Sequence, residues 1–148
     1  MILIRILIDA DACPVVDIAI QIAERYDVEC IIFCDTSHII EKLGVKTITV
    51  DEGADSVDYK IVNYIQKGDI VITQDYGLAA MCLARKAIAM NQNGLIYDDR
   101  NIDSLLTSRY ISKQIRNAGG RVKGQKKRKS YQNKGFRNNL INILNQDK

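Results

Sequence analysis

Several things are scarce in this chain of 148 residues: it has one histidine, one proline and four cysteines. It also lacks any apolar run near the roughly 20 residues that cross a bilayer, so no membrane span is expected. Met1–Ile8 leads into a strand-like run without a small-residue cleavage site, which reads as no secretory signal and a cytoplasmic address. Cys13, Cys30, Cys34 and Cys82 form no C-x2-C pair and no zinc-ligand rhythm, and the lone His38 is too little for a histidine-based zinc site. The thiols read as reduced and structural, Cys30 and Cys34 closing the two ends of an apolar run. There is no internal repeat.

What is present is ordinary for a globular protein: 47% hydrophobic and 26% charged residues, enough for one domain over 1–148 with a real core. The charge is unevenly placed. Residues 1–103 hold 9 Lys/Arg against 17 Asp/Glu, whereas residues 104–148 hold 12 Lys/Arg against one acid, Asp147. An acidic body and a basic extension on one molecule suggest a polyanionic partner.

Apolar strand-like runs recur at Ile2–Ile8, Val28–Cys34, Lys46–Val50, Asp69–Thr73 and Gly94–Tyr97. Helical spacing fills the gaps. One helix opens at Pro14, as suits a first helical position, and others are expected over Ser37–Leu43, Asp55–Ile65, Tyr76–Met90 and Ile102–Asn117. The alternation predicts an α/β domain with a mostly parallel five-stranded sheet and helices on both faces. Residues 119–135 read as a flexible basic segment, and residues 136–146 as a short terminal helix.

In open α/β sheets ligands gather at the carboxyl ends of the strands. Acids fall there: Asp9 and Asp11, then Asp35, Asp51, Asp75, and the pair Asp98 and Asp99. Asp35, Asp51, Asp98 and Asp99 also suit turns or helix caps. Asp58 is more telling, because it lies in the apolar arc of Val57, Ile61, Val62 and Ile65, where a carboxylate is costly without a cation or donor. Asp55 sits at the arc's edge, either as a cap or as a ligand, and the same choice stands for Asp75. Should the strands carrying Asp9 and Asp75 be neighbours, these carboxylates and Asp58 would meet, and several acids at close range demand a counter-charge. All-oxygen donors favour Mg²⁺ or Mn²⁺. Such a centre suits phosphoryl transfer. Arg109, Arg116, Arg121, Lys123, Lys126, Lys127, Arg128 and Lys129 would then follow a phosphate backbone, with Tyr131 and Phe136 stacking on bases.

The blocks "DADACPV", "GADSVDYKIV", "GDIVITQDYGLAA", "NIDSLL" and "RYISKQIRNAGG", in this order, resemble the YaiI/YqxD family (UPF0178, DUF188), uncharacterised bacterial proteins regarded as PIN-like. The resemblance spans nearly the whole chain. It implies a PIN-like three-layer sandwich with a basic C-terminal extension. By inference from related nucleases, it also implies a Mg²⁺/Mn²⁺ carboxylate cluster mapping onto Asp9, Asp11, Asp55, Asp58 and Asp75. The chain departs from the family in "DYGLA", where "DIPLA" is common. Gln132 and Asn133 stand where an Asp-Arg pair is usual ahead of Phe136.

The leading expectation is a divalent-metal-dependent nuclease acting on RNA, with Asp9, Asp58 and Asp75 on the metal and Asp11 and Asp55 as ligands or water-positioning groups. One alternative is a non-catalytic RNA- or ribosome-associated protein with a vestigial metal site. A third is a haloacid-dehalogenase-like phosphatase, whose strand also ends in D-x-D. Thr36 or Ser37 would supply its second motif, and Asp98 with Asp99 its acidic pair.

Overall fold

Five parallel strands form one sheet in the order β3-β2-β1-β4-β5: β1 Arg5–Asp9, β2 Glu29–Asp35, β3 Lys46–Val50, β4 Ile70–Ile72 and β5 Ile88–Met90. The computed structural model describes residues 4–53, 55–121 and 127–146. Parallel strands need crossovers, and helices supply three of the four: α1 Val16–Arg25 between β1 and β2, α2 Ser56–Tyr64 between β3 and β4, and α3 Tyr76–Ala84 between β4 and β5. A loop joins β2 to β3, and α4 Asp99–Asn117 and α5 Ser130–Gln146 complete the layers. The expected α/β architecture with a parallel five-stranded sheet is what the chain adopts. Among the described residues, no helix is long and apolar enough to cross a membrane.

Period-2 alternation divides the core. On β1, Ile6 and Ile8 face α1 and α5, where they meet Val15, Ala19, Phe136 and Leu140. Leu7 faces the other way and packs with Phe33, Ile61, Leu78, Tyr97 and Ile102 from the side of α2, α3 and α4. All three β1 residues are fully buried, each contributing about 1.5–3 kcal/mol of transfer free energy. β1 is thus the sheet's centre. Successive units run outward from it in opposite directions, through β2 and β3 on one side and β4 and β5 on the other. The switch point lies between β1 and β4, whose register pairs Ile8 with Ile72.

An ion pair between a part-buried arginine and a buried carboxylate staples the amino end of that seam. Arg5 Nε and Nη2 donate to Asp69 Oδ1 and Oδ2 at 3.1 and 2.6 Å, and the Gln66 amide donates to Asp69 Oδ2 at 2.8 Å. Asp69, which the periodicity placed merely at the start of a strand, is wholly buried.

Four expectations need correction. The fifth strand is Ile88–Met90 rather than Gly94–Tyr97, which contributes one antiparallel bridge from Ile96 to Met90. The expected helix Tyr76–Met90 ends at Ala84, because Lys86 adopts a left-handed φ of 66° and turns "AIAM" onto the free edge of β4. Ser37–Leu43 is not helical: the Asp35 carboxylate accepts from the Ser37 and His38 amides and holds a turn instead. Pro14 precedes the cap Val15, so it sets the turn into α1 and not its first helical residue.

The C-terminal reading also shifts. The last helix begins at Ser130, six residues before the expected 136, so residues 130–135 belong to it. It docks through small residues. Gly94 has φ +93°, and a Cβ there would lie 2.5 Å from the Gly135 carbonyl oxygen. Asn139 Nδ2 donates to the Gly94 carbonyl at 2.7 Å. Residues 122–126 of the expected flexible segment lie outside the described residues.

Candidate acidic site at the strand carboxyl ends

Asp9 ends β1 and Asp75 follows β4, so the adjacency of these two strands brings their carboxylates to the switch point. A cavity of about 540 Å³ opens there, lined by Asp9, Asp11, Asp55, Asp58, Asp75 and Arg109 among others. Three elements therefore deliver the acids: the β1–α1 turn, the first turn of α2 and the β4–α3 turn.

Thr73 organises the centre. Its hydroxyl donates to Asp9 Oδ2 at 2.7 Å and accepts from the Asp75 amide at 3.0 Å. The Thr73 carbonyl is in turn held by the buried Tyr97 hydroxyl at 3.1 Å. Asp75 caps α3 by accepting from the Leu78 amide at 3.0 Å. The same Oδ1 lies 3.4 Å from an Arg109 guanidinium nitrogen. Asp75 is thus cap and cavity residue at once. Gln74 donates to the Ala12 carbonyl at 2.8 Å, tying the two acidic turns together.

The electrostatics are those of crowded acids. Burial raises the Asp9 carboxyl to about 6, helped by Asp75 and Asp11 and opposed by the Thr73 hydrogen bond. Burial also raises Asp58 to about 7, reinforced by Asp75, Asp9 and Asp55, and by a hydrogen bond to Asp75. Asp58 is half-buried within the apolar side of α2, as its spacing predicted. Asp55 holds the cap position of α2 with a left-handed φ of 61°, yet its side chain makes no capping bond. Its carboxylate is left facing the cavity beside Asp58. Asp11 is exposed at the rim.

The donor set fits a hard cation: it is all carboxylate, concentrated, and opposed by one arginine. Among the described residues, however, no three His, Cys, Asp or Glu side chains already stand in metal-holding geometry. One Asp75 oxygen, Oδ1, is engaged by the Leu78 amide and Arg109.

Other expected site residues separate. Asp98 caps α4 in a capping box, accepting from the Arg100 and Asn101 amides at 2.9 and 2.8 Å. Neither Asp98 nor Asp99 lines the cavity, so the acidic pair that the phosphatase reading needs is elsewhere. Arg128 is not free to follow phosphates. Its guanidinium donates to Asn133 Oδ1, Asn93 Oδ1 and the Gln92 carbonyl at 2.9, 2.7 and 2.7 Å, clamping the start of α5 to the turn after β5. Phe136 is fully buried against the α1 side of the sheet and cannot stack on a base, whereas Tyr131 is exposed. Arg116, Arg121, Lys127 and Lys129 are exposed, while Lys123 and Lys126 lie outside the described residues.

Sequence reasoning missed His38, Thr73 and Tyr76. His38 reaches the cavity rim from the turn after β2, with Nδ1 3.0 Å from Ser37 Oγ and 3.9 Å from Asp35 Oδ1. Its signal was position, three residues past a strand-terminal Asp, rather than metal-ligand spacing.

Comparison with known proteins follows the whole chain. A curated UPF0178 protein from Exiguobacterium sibiricum is 48% identical over 140 residues, covering 95% of this chain and 96% of that one. One from Clostridium kluyveri is 49% identical over 140 residues, covering 95% and 92%. One from Natranaerobius thermophilus is 48% identical over 144 residues, covering 97% and 98%. Among solved structures, Rae1 (YacP) from Bacillus subtilis aligns with TM-score 0.47 and 17% identity over 80% of this chain and 84% of that one. The family model DUF188, described as "Uncharacterized BCR, YaiI/YqxD family", matches residues 7–146, and the chain belongs to that family.

Proposed function

We propose that this protein is a divalent-metal-dependent nuclease acting on RNA. The observation that carries the reading is the convergence of Asp9, Asp58 and Asp75, from three elements, on one cavity at the switch point of a parallel sheet. Asp9, Asp58 and Asp75 would hold Mg²⁺ or Mn²⁺, with Asp55 and Asp11 beside them. When bound, such an ion supplies the charge that activates water and offsets charge on the phosphate and leaving oxygen. The chain's own residues do the positioning. Thr73 fixes the Asp9 carboxylate and the Asp75 backbone in one network. Asp11, at the rim, would orient water. Arg109, already beside Asp75, would meet a phosphate oxygen.

The test is manganese-dependent cleavage of structured and single-stranded RNA by wild type and Asp9→Asn. The reading expects cleavage by wild type and near-complete loss in the variant; equal cleavage by both removes the metal-nuclease assignment. One observation favours the second reading, a non-catalytic RNA-binding protein with a vestigial site: no metal-holding cluster stands ready among the described residues. RNA affinity that survives chelation and Asp75→Asn, with no cleavage under any divalent ion, selects it.

A further inference from the structure

α4 is unusual in this fold. Of its 19 residues only Ile102 is buried, and from Thr107 to Asn117 no side chain is buried at all. Its first half packs Ile102, Leu105 and Leu106 against the α2/α3 side of the core. At about 100° per residue, Arg109, Lys113 and Arg116 fall in that same arc, while Thr107, Ile111 and Ile115 take the opposite side. The inward stripe therefore changes from apolar to cationic where the helix leaves the body. Its first cation is seen at work: Arg109 lies against Asp75, and it borders both the main cavity and a smaller one of about 130 Å³ beside it. Lys113 and Arg116 continue about 6 and 10 Å further along the helix axis.

We propose that Arg109, Lys113 and Arg116 form a track for the backbone of a single-stranded nucleic acid leaving the carboxylate site. The proposal rests on the phosphodiester reading of that site and extends it, because it assigns the substrate's flanking phosphates to α4. A lone phosphate at the carboxylates touches Arg109 at most, whereas a polymer running outward meets two more cations in line. The regular spacing of single charges on one face matches a repeating anion. Among the described residues, Arg128 is spent on a structural clamp, whereas Arg109, the first cation of the helix stripe, lines the cavity itself. Lys113 is the new assignment.

The experiment measures binding of a labelled single-stranded RNA of about 12 nucleotides, in chelator so that nothing is cut, across a salt series. The Lys113→Gln/Arg116→Gln double variant is compared with wild type and with Lys67→Gln, an exposed cation in the loop before β4, at the amino ends of the strands and so away from the carboxylate site. Loss of two phosphate contacts predicts roughly tenfold weaker binding at low salt and a salt slope lower by about 1.4. Lys67→Gln and mononucleotide binding stay at wild-type values. Wild-type affinity and slope in the double variant overturn the track. So does poly-glutamate binding with the same stripe dependence, which assigns α4 to an acidic protein instead. Cleavage is read separately in manganese. Cleavage without stripe-dependent binding ends this proposal alone, and stripe-dependent binding without cleavage ends the nuclease reading alone.

Discussion

Replacing Asp9 by Asn removes one charge from the crowded site while keeping its shape and an oxygen for Thr73 to donate to. In the folded protein burial lifts this carboxyl from its ordinary 3.8 to about 6. At pH 8 the ionised form therefore opposes folding by up to roughly 3 kcal/mol, which water in the open cavity screens to about 1–2 kcal/mol. Because the folded value is the higher one, the Asp9 contribution to metal-free wild-type stability is fully present below about pH 4 and is lost as pH rises through about 6. Asp9→Asn lacks the increment's pH dependence. It is expected to melt about 3–6 °C above metal-free wild type at pH 8, and to differ little from it at pH 4. If the proposed site holds Mn²⁺, the ion should reverse the order: at a hundredfold excess over its dissociation constant it would add about 2.7 kcal/mol to wild type and little to the variant. Thermal melts at pH 4, 6 and 8, with and without Mn²⁺, read all of this. A variant less stable than metal-free wild type at pH 8 refutes the reasoning, as does a wild-type-to-variant difference that stays constant from pH 4 to 8, since either would mean that Asp9 is neither desolvated nor crowded.

Three other outcomes follow from the packing. Asp69→Ala leaves the part-buried Arg5 guanidinium without its carboxylate and the Gln66 amide without its acceptor, and is expected to cost about 2–3 kcal/mol in urea unfolding, with Mn²⁺ binding per folded molecule unchanged. Thr73→Val breaks the hydroxyl link between Asp9 and the Asp75 amide; Mn²⁺ affinity by calorimetry should fall about 10- to 100-fold, and a smaller change would make Thr73 a bystander. Phe136→Ala should destabilise by about 3–5 kcal/mol, whereas Tyr131→Ala, at an exposed position, should leave the melting temperature unmoved; the reverse pattern would contradict the burial of α5.

The site was more legible than the sheet's edge. Asp58 stood out because helical spacing placed a charge among Val57, Ile61 and Ile65, and local periodicity reports the faces of an element faithfully. β5 was misplaced because "AIAM" carries no period of its own. Four apolar residues suit a helix or a buried strand equally, and the left-handed turn at Lys86 decided the matter. The basic run misled in a different way. Composition counts Arg128 with its neighbours, but the turn at Gln92 and Asn93 needed a donor, and only the folded chain shows which arginine supplies it.

By itself the sequence determined the alternation of strands and helices, the delivery of acids to strand ends, and the division into acidic body and basic extension. These are properties of short windows and of composition, written residue by residue. Tertiary structure alone decided that β4 lies beside β1, and hence that Asp9 and Asp75 share a cavity. That adjacency comes from a crossover through α2 that carries the chain past the central strand, and no local pattern encodes where such a crossover lands. It also brought Arg109 and His38 to the same rim from elements distant in sequence. The acids were visible one at a time; only the packed sheet brought them to one cavity.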